Sequence, residues 1–104
     1  MNASSKKKLS QYERLAGMLR DRIAAGIYAR GDKLPSEMEL MDESGLSRST
    51  VRHALKVLVD EGLVRTERTA GRYVTEDRAL IEQLRAEAAR NLTAEFLEKM
   101  RGIG

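Results

Sequence analysis

The chain of 104 residues has no cysteine and no tryptophan, and only one proline, one histidine and one phenylalanine. Without cysteine neither a disulfide nor a thiolate metal site can form, which fits a cytosolic setting. Tyr12, Tyr28, Tyr73 and Phe96 are the only aromatics. They are too few and scattered for the stacking platforms that grip single-stranded nucleic acid, and each is expected in the core. His53 has no cysteine or acidic partner at ligand spacing, so no metal site is expected. No apolar run nears the roughly 20 residues of a bilayer span. No signal-peptide pattern opens the chain. There is no nucleophile paired with a base and no phosphate-cradling glycine loop, so neither an enzymatic activity nor a cofactor is expected. Internal repeats and low-complexity blocks are also missing.

What is present fits one small domain: 41% hydrophobic residues for a modest core and 34% charged residues for a solvated surface. The net charge of +3 says little alone, but its distribution is uneven. Residues 1–34 carry eight Lys/Arg against three Asp/Glu, residues 35–46 carry four acids and no base, and residues 79–104 balance at four each. The basic surplus therefore lies in the N-terminal region and over Arg48 to Lys56, as expected of a phosphate-facing side.

Apolar periodicity predicts a first helix from about Ser10 to Ala25, with Tyr12, Leu15, Ala16, Leu19 and Ile23 on one face and Gly26 at its end. Residues 26–34 read as a loop with a short strand around 29–34, and Gly31-Asp32 marks a turn. A second helix starts at Ser36, where Ser36 and Glu39 have the spacing of a capping box. Leu40 and Met41 supply its apolar contacts. Glu37 and Glu39 complement the dipole at its start, which accounts for these acids without a cation site. Ser44-Gly45-Leu46 is a short turn, and Ser47 caps a third helix that Gly62 closes. Two helices across a short glycine turn are a helix-turn-helix signature. Residues 63–67 and 72–74 read as strands around a turn at 68–71, a hairpin or wing. From residue 75 to about 101 a last helix carries Leu80, Ile81, Leu84, Ala88, Leu92 and Phe96 in one stripe. The fold class is thus mostly α with a small β-hairpin. It divides into a flexible arm (1–9), a winged helix-turn-helix domain (10–75) and a helical dimerisation tail (76–104).

The third helix carries the chemistry. Val51, Ala54, Leu55, Leu58 and Val59 share its apolar side, and Arg48, Ser49, Arg52, His53 and Lys56 lie opposite. Arginine bonds a guanine edge through two donors, and serine or threonine bonds phosphate oxygens. A helix so built fits the major groove of duplex DNA. His53 is expected to flank that contact.

Four segments in order then resemble the GntR family of bacterial winged-helix transcription regulators: residues 23–28 (Ile-Ala-Ala-Gly-Ile-Tyr), 31–37 (Gly-Asp-Lys-Leu-Pro-Ser-Glu), 45–52 (Gly-Leu-Ser-Arg-Ser-Thr-Val-Arg) and 61–64 (Glu-Gly-Leu-Val). The resemblance implies that Ser47 and Thr50 hold phosphates, Arg48 and Arg52 read bases, and Ser49 contacts the groove nearby. Gly71 and Arg72 would reach the minor groove from the wing tip. Ser36, His53 and Lys56 complete the candidate DNA-binding set. Two positions depart from the family pattern. Met38 stands where many relatives place a polar or basic DNA contact, and Thr69-Ala70-Gly71 replaces a Gly-x-Gly before the last strand. The short tail resembles that of the small YtrA-like subgroup. It leaves no evident pocket for a small-molecule effector.

These readings lead to a sequence-specific regulator of bacterial transcription, cytoplasmic and nucleoid-associated when bound. It would repress as a homodimer on a near-palindromic operator, with the stripe from Leu80 to Phe96 as the subunit interface. Two other readings remain at this stage. The domain can be a winged-helix module that binds protein through its basic face, or the DNA-binding part of a larger effector-domain regulator.

Overall fold

A computed structural model describes residues 9–68 and 71–103, with side chains to position 91. The elements run α1 (Gln11–Ala24), α2 (Glu37–Ser44), α3 (Arg48–Asp60), β1 (Val64–Glu67), β2 (Gly71–Val74) and α4 (Arg78–Ile103). This is a winged helix-turn-helix followed by one long helix.

Local chemistry fixes the helix ends. Ser10 and Ser36 each accept a hydrogen bond from the amide three residues on, and Glu13 and Glu39 reach back to the cap amides. Both capping boxes satisfy donors that a helix start otherwise leaves open. Gly45 ends α2 at φ +74°, a left-handed conformation that a side chain would strain, and so turns the chain toward α3. At the far end of α3 the amides of Gly62 and Leu63 return to the carbonyls of Val59 and Leu58, the paired bonds of a Schellman end. Leu63 is thereby turned into the core, where it is buried.

The core lies between α1 and α3. Leu19, Leu55 and Leu58 are fully enclosed, with Ile23 and Val51 beside them. Helix α2 contributes a single buried residue, Leu40. The ion pair of Arg22 with Glu43 ties it to α1. That contact and the Tyr28 hydroxyl raise the Arg22 pKa further above its ordinary value, and Arg22 holds Glu43 below its own.

The wing is the antiparallel pair β1–β2, with Val64 opposite Val74 and Arg65 opposite Tyr73. The strand expected around 29–34 contracts to one bridge, Lys33 with Tyr73. Residues 31–34 still run along β2, because Leu34 donates to Arg72 and Val74 donates to Asp32. Glycine and aspartate at 31–32 turn the chain before a regular ladder can extend.

Helix α4 starts at Arg78 rather than near residue 75. The Asp77 carboxylate accepts from the Leu80 amide, so the helix begins at that cap. Its apolar stripe requires a correction. Ile81 and Leu84 are 4% and 8% exposed, packed into the core of their own chain. Leu80 and Ala88 are partly buried against the same cluster. The first half of the expected subunit seam is therefore an intrachain contact. Leu92 and Phe96 lie outside the described side chains. Arg85 Nε donates to the Ala24 carbonyl at 2.9 Å, closing the α1 C-terminus against α4. Among the described residues no helix is long and apolar enough to cross a membrane.

Candidate nucleic-acid interface

Helix α3 is half sunk. Val51, Ala54, Leu55 and Leu58 are 0% exposed, and Arg48, Ser49, Arg52, His53 and Lys56 stand on the solvent side. The spacing of 48, 52 and 56 aligns three cations along one edge, one helical turn apart. The sequence-derived face therefore exists as a continuous surface.

At its start the hydroxyls form a small network. Ser47 Oγ accepts from the Thr50 amide at 3.3 Å, and its oxygen lies 2.9 Å from Thr50 Oγ1 and 3.3 Å from Ser49 Oγ. Ser47 thus caps the helix and holds two further hydroxyls at the positive end of the helix dipole. This arrangement suits phosphate oxygens. Ser36 is engaged in its own capping box at the start of α2. His53 stacks on Tyr12 of α1, with ring centroids 3.6 Å apart and planes 10° from parallel. The stack fixes the imidazole beside the hydroxyl cluster. Lys56 pairs with Asp60 at 2.9 Å, both well exposed. An exposed pair of this kind contributes about 0.3–0.5 kcal/mol, so Lys56 exchanges partners readily.

Arg48, Arg52 and Arg72 converge on one carboxylate. Glu37 Oε1 accepts from Arg48 Nη1 at 3.2 Å and from Arg52 Nε at 3.0 Å. Its Oε2 accepts from the same Arg52 Nε at 3.0 Å and from Arg72 Nη2 at 3.1 Å. Burial pushes the Glu37 carboxyl up, but the hydrogen bonds and charges of Arg52 and Arg72 outweigh it and hold the group below its ordinary value. The acid therefore stays ionised while three elements, α2, α3 and β2, meet at it. Reading Glu37 only as a dipole partner was incomplete. It does open α2, and it also links the third helix to the wing.

Two more residues join the face. Lys33 lies across from Tyr73, and its Cε stands 3.2 Å from where a Cβ on Gly71 would be. This puts a basic side chain along the wing beside Gly71 and Arg72. Tyr12, expected in the core, is half-buried and supports His53. Lys33 lay inside a segment that resembles the family without being singled out as a contact, and no sequence signal marked the Tyr12 stack. Thr69 and Ala70, where the missing wing glycine was noted, lie outside the described residues. Met38 is 53% exposed, one residue past Glu37. Among the described residues no group of three His, Asp or Glu side chains is placed to hold a metal ion.

Residues 11–74 match the family described as "Bacterial regulatory proteins, gntR family". The chain is 42% identical over 67 residues to the mannosyl-D-glycerate transport/metabolism system repressor MngR of Escherichia coli (strain K12), a match covering 64% of this chain and 28% of that protein. It thus spans about a quarter of the length of such curated relatives. Among solved structures it resembles a GntR family transcriptional regulator from Listeria monocytogenes, with a TM-score of 0.80, 32% identity, and coverage of 94% of this chain and 86% of that one. It also resembles AraR(DBD) in complex with operator ORR3, with a TM-score of 0.64 and 32% identity over 66% of this chain and 83% of that one.

Proposed function

The chain belongs to the gntR family of bacterial regulatory proteins, and on that premise we propose that it is a transcription regulator binding a double-stranded DNA operator through α3 and the wing. The observation that carries this reading is the half-sunk α3: an apolar side enclosed in the core, and Arg48, Ser49, Arg52, His53 and Lys56 presented together. A rigid helix of this kind enters the major groove, which displays a distinct donor and acceptor pattern for each base pair. Arg48 and Arg52 are assigned to base edges, and Ser47, Ser49, Thr50 and Lys56 to the groove wall and its phosphates. Ser36 and His53 flank them, and Gly71 and Arg72 serve the adjacent minor groove. That the similar AraR(DBD) is found in complex with an operator supports operator DNA as the partner. The protein is read as a regulator and not as an enzyme, acting in the cytoplasm where its DNA lies.

The active form is read as a homodimer on a near-palindromic operator, with two α3 helices one helical turn, about 34 Å, apart. Helix α4 has 26 residues and is therefore about 39 Å long, longer than the stretch from Leu80 to Ala88 that packs on the core of its own chain. Beyond them α1 and α4 border a groove of about 620 Å³, with Ala24, Ala25, Ala88 and Ala89 along it. Small side chains let a helix of a second copy approach closely, and one self-complementary patch suffices for two-fold symmetry. Blocking promoter DNA then gives repression.

Selection of bound fragments from a random duplex library by the purified protein tests the function. Enrichment of a sequence with two-fold symmetry supports it. Failure to retain any duplex at about 100 mM salt moves the assignment to a protein partner for the same face. Sedimentation equilibrium decides the assembly, since a chain that stays monomeric at micromolar concentration rules out the dimer.

A further inference from the structure

We propose that Glu37 is the positioning residue of the DNA-reading surface: its carboxylate clamps Arg48, Arg52 and Arg72 in one prearranged set and lowers affinity for DNA that does not complete the pattern. The inference rests on the DNA-binding reading of α3 and deepens it.

The atoms argue for positioning rather than simple neutralisation. Arg52 gives only its Nε edge to the carboxylate, shared between both oxygens at 3.0 Å. Its two terminal nitrogens lie in the same guanidinium plane and form its end-on edge, whose two parallel donors match a guanine edge. Arg48 engages through Nη1 alone and Arg72 through Nη2 alone, so each keeps donors for another acceptor. The four contacts use the acceptor capacity of the carboxylate fully. Its side chain is 16% exposed, against 47% and 60% for Arg48 and Arg52. The acid therefore sits beneath the cations it holds. Long arginine side chains lose rotamer freedom on binding, and a clamp that has already ordered them reduces that cost.

The sign of the charge gives the second half. A carboxylate beneath a phosphate-facing surface repels DNA, so it weakens binding to any sequence. Its presence at the centre of three arginines makes sense where discrimination matters more than raw affinity, since specificity is a difference between two affinities. A duplex that engages the free arginine donors leaves the clamp intact. One that pulls the arginines toward its phosphates must break it.

The test uses the full chain and its Glu37→Gln and Glu37→Asp variants, with the duplex selected by the wild type and a scrambled duplex as probes. Fluorescence anisotropy over a range of salt reads both affinities. Glu37→Gln is expected to lose about tenfold on the selected duplex and to gain roughly two- to fivefold on the scrambled one, with a steeper salt slope. The ratio of the two affinities then falls by roughly 20- to 50-fold. Glu37→Asp keeps the charge on a shorter arm and falls between. Without DNA, the Arg52 Nε–H resonance in a nitrogen-15 spectrum is expected to move in Glu37→Gln. A ratio within twofold of wild type in Glu37→Gln overturns the proposal. So does an equal loss on both duplexes with a matching fall in melting temperature, or an unmoved Arg52 resonance. If the wild type itself selects no duplex, the DNA-binding reading fails, and the positioning role fails with it.

Discussion

Leu40 is the residue on which α2 depends. It is the only buried side chain of that eight-residue helix and is 0% exposed. A helix this short has little stability of its own, so docking maintains it. Truncating Leu40 to alanine removes its packed branch and leaves a cavity that the neighbouring α3 side chains fill only in part. Such changes cost about 2.7–5.0 kcal/mol. Because α2 can shift toward the gap, the lower half of that range, about 3 kcal/mol, is expected. For a domain of this size each kcal/mol moves the melting midpoint by about 4–8 °C, so a fall of roughly 12–24 °C follows. Thermal and urea melts followed by circular dichroism measure it. Met38→Ala is the control, since Met38 lies two residues away and is exposed, and it should change stability by under about 0.5 kcal/mol. The loss should also reach the interface, because Glu37 rides on the first turn of α2. Well below its melting point, Leu40→Ala should therefore discriminate less between DNA sequences than wild type. A loss of stability under about 1 kcal/mol would refute this account of how α2 is held.

Leu84→Asp places a carboxylate in the core of its own chain, where an unpaired charge costs several kcal/mol. The monomer should unfold or melt far below wild type in a calorimeter, and a mutant with wild-type melting would return Leu84 to a subunit seam. Acid should destabilise the protein through Glu37 and Glu43, whose folded-state pKa values are depressed by their arginine partners. Depressed carboxylates stabilise the fold above their unfolded-state pKa, roughly 4.3, and that contribution disappears as pH falls through the folded values. Urea midpoints measured from pH 6 down to pH 3 should fall below about pH 4.3, and Glu43→Gln should flatten part of that decline.

The helix-turn-helix was legible because its signals are local. Ser36 with Glu39, Gly45 and Ser47 each act within a few residues, and the structure uses each at its expected place. The exposed face of α3 was legible for the same reason, since helical spacing alone separates Val51 from Arg52. What depended on distant packing was not. The stripe on α4 announced apolar contact but not its partner, and Ile81 and Leu84 meet the core of their own chain. Glu37 has a sufficient local explanation at a helix start. Only the wing register, which brings Arg72 back to α2, exposes its second role. Tyr12 and His53 are 41 residues apart, and only the crossing of α1 over α3 makes them stack.

The central claim is that α3 reads DNA sequence through Arg48 and Arg52, and their double alanine variant tests it most directly. Fluorescence anisotropy would compare it with wild type on selected and scrambled duplexes. Wild type should prefer the selected duplex by about a thousandfold or more. Each lost bidentate contact should remove roughly 1–3 kcal/mol of discrimination, about 2–6 kcal/mol for the pair, so the preference should fall by about thirtyfold or more. Both side chains are exposed, so its melting should stay close to wild type. A double variant that remains folded and keeps the wild-type preference would contradict the claim.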